Sequence, residues 1–390
     1  MSGRHFLFVP GPTNVPERIL RAMDRAQDDH RSSAFPALTR GLLADLPKVF
    51  GSTRGRAFIF PASGTGMWEA SIVNALSPGD RVLAVRNGQF GHLFIDTAQR
   101  LGMKVEVLDV EWGRGIDAAA VGEALKADKS RAFKAVLVVH NDTSTGVTSD
   151  IAAVRRAMDD AGHDALLMVD GVSSIASLDF RMDEWGVDFA ISGSQKGFMM
   201  PAGLGLLCVS PKGLQACETA RSPRAFFDLR DHIAQNDMGT FPYTPAGSHL
   251  HGLRASLDML LEEGMPNVAA RHRRLAEGVR RAVHAWGLDT CAREPGEQSD
   301  TVTAVVVPEG ADSEKVRDIA FRRYNLALGA GLGQVRGKVF RIGHLGDLNE
   351  LMLLGALAGV EMTLADAGIP VKLGCGIGAA QAWYRANPPR

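Results

Sequence analysis

Two short segments carry the residues best suited to chemistry. Val169-Asp170-Gly171-Val172-Ser173-Ser174 follows the apolar run Ala165 to Val169, and Ile191-Ser192-Gly193-Ser194-Gln195-Lys196-Gly197 follows Val187 to Ile191. Apolar runs of this length, flanked by Gly and Ser, predict buried parallel strands. In an open α/β sheet, ligands sit in the crevice at the carboxyl ends of the strands. Asp170 and Lys196, 26 positions apart, are therefore expected to enter one crevice from neighbouring strands. A lysine kept from water can form a Schiff base with a carbonyl, and a buried carboxylate can hold a pyridinium nitrogen protonated. Pyridoxal phosphate chemistry needs both. The competing reading is a structural ion pair, because Asp after a strand is common. The flanking Ser192-Gly193-Ser194-Gln195 favours chemistry.

Other segments fit around this pair. Pro61-Ala62-Ser63-Gly64-Thr65-Gly66 follows the strand Ala57 to Phe60 and opens a helix expected from about Met67 to Leu76. The free N–H groups and positive dipole end of that helix make Ser63, Gly64 and Thr65 a candidate phosphate cup, although small polar residues cap most helices. Arg341 is the one charge in the apolar strand Val339-Phe340-Arg341-Ile342. Its fork suits a carboxylate, either a ligand's or one in a domain-interface salt bridge. Asp29-His30-Arg31-Ser32 reads as a polar turn with no evident purpose, or as a substrate-side element in which His30 or Arg31 supplies a second cation for an acidic substrate. Arg271-His272-Arg273-Arg274 reads as a solvated helix face. Gly329-Ala330-Gly331-Leu332-Gly333 lacks a full βαβ context and reads as a glycine hairpin, not a dinucleotide loop.

The elements that position these residues alternate. Strands are expected at Arg81 to Val85, Val105 to Leu108, Ala135 to Val139 and Leu204 to Val209. Helices are expected at Phe94 to Leu101, Ala118 to Lys126 and Ile151 to Ala161. Such alternation over roughly 200 residues implies βα units and a mainly parallel sheet with right-handed crossovers. Each candidate motif then lies just after a strand, at one edge of that sheet. Phe6 to Pro16 is a proline-broken arm, preceding a helix from Glu17 to Arg25. Pro223 to Pro245 reads as a long irregular loop, functional or interfacial. Helices from Leu250 to Glu263 and Val268 to Trp286 follow. A smaller α/β unit comes last, with strands at Val302 to Val307 and Val339 to Ile342 and helices at Ser313 to Tyr324 and Asn349 to Ala367. The expected division is an arm at 1–20, a large domain at 21–255 and a small domain at 256–390.

Bulk properties narrow the class. The chain has 390 residues, 45% apolar and 22% charged, with net charge -1. That is the balance of a soluble globular enzyme and points to neither nucleic acid nor a membrane surface as partner. Cys208, Cys217, Cys291 and Cys375 lie far apart without zinc-site spacing, so no metal is expected and a reducing compartment, the cytoplasm, is the default. Met1 to His5 leads into only four apolar residues, too few for a signal peptide, and no run approaches a membrane span. Asn387-Pro388-Pro389-Arg390 carries no targeting tripeptide.

Taken together, Pro10-Gly11-Pro12, Ser63-Gly64-Thr65, His140-Asn141-Asp142-Thr143-Ser144-Thr145-Gly146, the Asp170 and Lys196 motifs and Phe340-Arg341-Ile342-Gly343 resemble class V aminotransferases of the alanine/serine–glyoxylate subfamily. The resemblance covers nearly the whole chain. It implies a fold-type-I pyridoxal-phosphate-dependent transferase that moves the amino group of a small L-amino acid, serine first, to glyoxylate by a ping-pong mechanism. Aspartate or alanine as donor, or a lyase or cysteine desulfurase reaction, are the alternatives. The roles it implies are Lys196 as Schiff-base lysine and proton shuttle, Asp170 on the ring nitrogen, and Val172 against the ring. Ser63, Gly64, Thr65 and Gln195 are implied on the phosphate, Thr143 on the phenolic oxygen, and Arg341, beside Pro10 and Gly11, on the substrate carboxylate. Phe241 to Thr244 is implied to reach a neighbouring subunit's site in a homodimer, with Thr244 on the phosphate. Phe90 stands where relatives often have a stacking Trp, Phe241 where they often have Tyr, and Thr65 where animal relatives often have His. None removes a group the chemistry requires.

Overall fold

Strands buried on both faces read as continuous apolar runs, and the centre of this molecule is built from them. The computed structural model describes residues 5–389; residues 1–4 of the expected arm, and Arg390, lie outside. Seven strands form the large sheet. Their order is Arg56–Ala62, Gly203–Val209, Phe189–Gly193, Leu166–Asp170, Phe133–Val139, Arg81–Arg86 and Lys104–Asp109. All are parallel except Gly203–Val209, which runs antiparallel to both of its neighbours. Leu166–Asp170 and Phe189–Gly193 are buried along their whole length, while the edge strand Lys104–Asp109 alternates towards solvent. The mainly parallel α/β class inferred from the alternation is the one observed.

Helices extend further towards the carboxyl edge than periodicity indicates. The helix after the first strand is Gly64–Ala75, and the next begins at Gln89. Three helices were not expected at all: Phe35–Val49, Pro211–Thr219 and Cys375–Ala386. Pro223 to Pro245 is not irregular throughout, because it contains the helix Leu229–Met238. Its sequence is polar and it gains only a narrow buried stripe, at Leu229, His232 and Asn236, so apolar periodicity does not reveal it.

The arm is not simply laid over a surface. Phe6–Phe8 pairs in parallel with Leu326–Ala330 as the edge strand of a second sheet, whose order continues through Val339–Gly343, Val302–Val306 and Asp289–Thr290. An edge is where a strand this close to prolines can sit. Phe8 joins the apolar cluster of the C-terminal part, with Leu328, Phe340 and Leu357. Leu257, Leu260 and Val268 pack instead into the core under the large sheet. Leu326–Ala330 and Val339–Gly343 are antiparallel, so the Gly329 to Gly333 segment belongs to a hairpin.

The basic run is not a solvated face. On the helix Met265–Ala285, His272 is buried, donating from Nδ1 to the Val268 carbonyl and accepting at Nε2 from the Gly346 N–H. Arg271 pairs with Glu263 and Arg274 with Glu350, leaving only Arg273 mainly exposed.

Candidate functional site

Asp170 is the last residue of its strand and Lys196 lies in the turn after the adjoining parallel strand, so both emerge at the same carboxyl edge. Ser63 follows a strand of the same direction and stands at the N-cap position of the next helix at that edge. Sheet geometry alone therefore assembles these three motifs.

Asp170 and Lys196 do not form the structural ion pair considered above. Lys196 Nζ donates to the carbonyl of Pro10. Asp170 Oδ1 accepts from the Val172 N–H at 2.8 Å. Both side chains are buried, at 4% and 9% exposure. Burial pushes the Asp170 carboxyl up to about 7, with the nearby Asp142 charge adding to it against the Val172 hydrogen bond. Burial also brings the Lys196 ammonium down to about 7, reinforced by the charge of Arg341 and opposed by Asp170. A lysine so placed is a substantial fraction free amine near neutrality, the form that acts as nucleophile or base.

The arm closes over this lysine. Gly11 has φ +99°, and a Cβ there would stand 2.4 Å from Lys196 Cδ, so only glycine fits. Thr13, buried, completes the clasp: its N–H donates to the Gln195 carbonyl at 3.2 Å and its hydroxyl to the Lys196 carbonyl at 3.3 Å. Sequence reasoning missed Thr13. The only signal for it was its place next to the Pro10-Gly11-Pro12 segment.

Arg341 sits mid-strand at 8% exposure. Its Nε donates to the Ala330 carbonyl at 2.6 Å and one terminal nitrogen to the Thr143 carbonyl at 2.8 Å. The guanidinium thus spans the two halves of the molecule, but through carbonyls. Among the described residues it forms no salt bridge, so the interface ion pair is not what it makes. Burial lowers it to about 10, with Asp142 opposing that shift. A buried cation with no matching anion is suited to binding a carboxylate.

The remaining expected residues divide into two groups. Thr143 is buried and its hydroxyl donates to Ser173 Oγ at 3.1 Å, while Ser173 donates to the Asn141 carbonyl at 2.8 Å. Phe90 is the second residue of its helix and half-buried against the core that also takes Val172. Phe241 and Thr244 stand apart. Phe241 packs edge-on to His232, Thr244 is exposed, and among the described residues neither hydrogen-bonds to this centre. His30 and Arg31 likewise have no hydrogen bond or ion pair to it among the described residues.

Do these residues fit pyridoxal phosphate? Ser63, the N-cap of Gly64–Ala75, is extended and its hydroxyl does not cap the helix, so the first-turn amides keep their donors. Gln195 Oε1 is buried without a hydrogen-bond partner, so the polar end of this side chain is not fully used within the protein. Phosphate donors at one end, a buried carboxylate at the other and an amine between them suit a phosphorylated pyridine aldehyde. The donor set fits.

The comparisons agree with this geometry. The Aminotransferase class-V family profile matches residues 5–335. The chain is 59% identical to serine–glyoxylate aminotransferase of Methylorubrum extorquens, covering 99% of this chain and 97% of that one. It is 52% identical to L-aspartate–glyoxylate aminotransferase of Paracoccus denitrificans, covering 99% and 97%. The crystal structure of pyridoxamine–pyruvate aminotransferase from Mesorhizobium loti superposes with a TM-score of 0.92 at 29% identity, over 99% of this chain and 98% of that one. With its Lys196–Asp170 centre at the carboxyl edge of the sheet, the chain belongs to the class V aminotransferase family, whose cofactor is pyridoxal 5′-phosphate.

Proposed function

We propose that the protein transfers the amino group of L-serine to glyoxylate, giving glycine and a 2-oxo acid, by a ping-pong mechanism. The observation that carries this reading is a buried Lys196 at one carboxyl edge with buried Asp170, together with a buried Arg341 that forms no salt bridge among the described residues. The identity to serine–glyoxylate enzymes supports serine as donor, and the aspartate–glyoxylate relative makes aspartate the second reading. A desulfurase is disfavoured, because Gln195 stands where such enzymes commonly carry His.

Bound here, pyridoxal phosphate supplies an aldehyde carbon that takes the amino group and a cationic ring that accepts the electron pair left when the Cα–H bond breaks. The chain does the rest. Arg341 orients the substrate carboxylate, and Asp170 keeps the ring nitrogen protonated. With that group bound, Lys196 Nζ would hold its aldehyde carbon at rest and, as a free amine, would carry the proton from the substrate Cα to that carbon. Ser63, Gly64, Thr65 and Gln195 bear the phosphate, Thr143 the phenolic oxygen, and Phe90 and Val172 flank the ring. Pro10 and Gly11 wall the substrate side.

The proposal includes a homodimer in which Phe241 and Thr244 complete the partner's site. Phe226, 46% exposed, stacks on Tyr243 at 4.3 Å, and this aromatic surface supports such a contact. It also keeps the division 1–20, 21–255 and 256–390, and a cytoplasmic setting, with which four free cysteines are in line. No described helix is long and apolar enough to cross a membrane.

The test is to follow the visible absorbance of the purified holoenzyme as L-serine, L-aspartate or L-alanine is added, then glyoxylate. Conversion by serine and recovery with glyoxylate are expected. Conversion by aspartate alone moves the donor assignment, and a band that no donor changes ends the transamination reading. Light scattering at micromolar protein should give twice the chain mass, and a monomer that is fully active would refute the shared site.

A further inference from the structure

One buried carboxylate joins three parts of the site and has no role in the reading above. Asp142 is fully buried at the end of the short strand Asn141–Asp142, where it pairs with Val147 of the strand Val147–Thr148. Its Oδ2 accepts from the Phe90 N–H at 3.1 Å and the Gly91 N–H at 3.4 Å. Its Oδ1 accepts from the Ser144 N–H at 2.9 Å and from the Ser144 hydroxyl. Ser144 Oγ in turn accepts from the Gln89 N–H at 3.0 Å. The helix Gln89–Arg100 receives no cap from its own N-cap residue, Gly88, so its first amides are satisfied from a different loop. Gly88 permits the approach: a Cβ there would lie 2.3 Å from the Asp142 carboxyl carbon. On the other side of Asp142, Thr143 presents its carbonyl to Arg341 at 2.8 Å and its hydroxyl to Ser173 at 3.1 Å.

We infer that Asp142 is a positioning residue that locks the helix start bearing Phe90 to the loop bearing Thr143 and restraining Arg341. The groups facing the ring, the phenolic oxygen and the substrate carboxylate then keep one mutual geometry. Asp142 itself touches no reacting atom. Burial raises its proton affinity, yet all four of its partners are donors, which is the environment of a carboxylate. Its charge also reaches Asp170 and Arg341. The inference rests on the proposed seating of pyridoxal phosphate between Lys196 and Asp170.

The test compares D142N, S144A and E361Q with wild type, reading the cofactor dissociation constant by tryptophan fluorescence of the apoenzyme and the visible circular dichroism of the holoenzyme. D142N puts an N–H where an acceptor is needed, and S144A removes one of the four donors. E361Q is the control: Glu361 is also a buried carboxylate meeting helix-start amides, those of Gly376 and Ile377, but in the C-terminal part. D142N should weaken cofactor binding about 10-fold or more, the effect of losing one hydrogen bond to a charged group, and should reduce the dichroism. S144A should move both in the same direction by less, and decides the matter if D142N does not fold. E361Q should lower the melting temperature and leave both cofactor readouts alone. Wild-type affinity and dichroism in D142N and S144A would make Asp142 a structural cap and overturn the inference. Failure of the cofactor seating would appear separately, as a K196A protein with an unchanged visible spectrum.

Discussion

At the scale of single residues, the chemistry turns on two groups whose proton affinities burial brings together. An Asp raised to about 7 and a Lys lowered to about 7 are each poised to change charge near neutrality. For Lys196 the folded value lies below the unfolded one, so the folded protein loses this proton first as pH rises. Capture of pyridoxal phosphate by the apoenzyme, followed by stopped-flow absorbance, should accelerate through about pH 7 and level off above it. A rate that keeps climbing towards pH 10 would mean the amine is not desolvated in solution. Lys196→Ala should lower turnover by about 10⁴-fold, since no neighbouring group can replace the base. Arg341→Lys should raise KM for the amino donor about 10- to 100-fold with a smaller change in kcat. Lysine keeps the charge but loses the fork and cannot span the Ala330 and Thr143 carbonyls. An unchanged KM would remove Arg341 from substrate binding.

At the scale of elements, stability depends on how helix ends are satisfied. The C-terminal helix Cys375–Ala386 begins after Gly374 with no side-chain cap of its own. Glu361, on the helix Glu350–Asp366, supplies it. Its carboxylate accepts from the Gly374, Gly376 and Ile377 amides and from the Trp286 indole at 2.9 Å. Glu361→Gln keeps the shape but sets an N–H among donors, and should cost about 1–3 kcal/mol. Hydrogen exchange should show the loss concentrated in residues 374–386, and uniform exchange across the chain would contradict an anchoring role. None of this was legible in the sequence. Glu361 sits in a helix that is apolar nearly all round, and its partners are the backbone of a segment that no periodicity marked as helical.

At the scale of the whole molecule, four of the five buried histidines set the response to acid. Burial lowers His140 and His232 to about 4 and His272 and His344 to about 3. Folded, they stay neutral; unfolded, they take up protons below 6.5. Their contribution is present above 6.5 and is lost as pH falls towards 3, by about 1.4 kcal/mol per pH unit for each group. Asp170, raised to about 7, and Asp142, also raised by burial, act in the opposite sense, two groups against four. Denaturant unfolding of the apoenzyme should therefore show stability falling steeply between pH 6.5 and 4. His272→Gln, which can still reach the Val268 carbonyl, should make that fall shallower by about one proton's worth. An identical slope would show that His272 does not remain neutral in the fold.

The sequence by itself determined the βα alternation and hence the carboxyl edge where Ser63, Asp170 and Lys196 meet. Strand runs, helix caps and glycine turns are properties of windows a few residues long, and the parallel sheet converts them into position. Tertiary structure alone decided what those residues touch. Pro10 closes on Lys196 from 186 positions away, and Thr143 holds Arg341 from 198 positions away. The helix Leu229–Met238 is revealed only by the burial of Leu229, His232 and Asn236, and the Arg271 to Arg274 run is tied down by Glu263 and Glu350 on other helices. Asp142 was visible as a letter in a motif, but its partners are backbone amides, which every residue carries and no sequence pattern distinguishes. Contacts of that kind depend on the approach of distant segments, and only the folded chain specifies that approach.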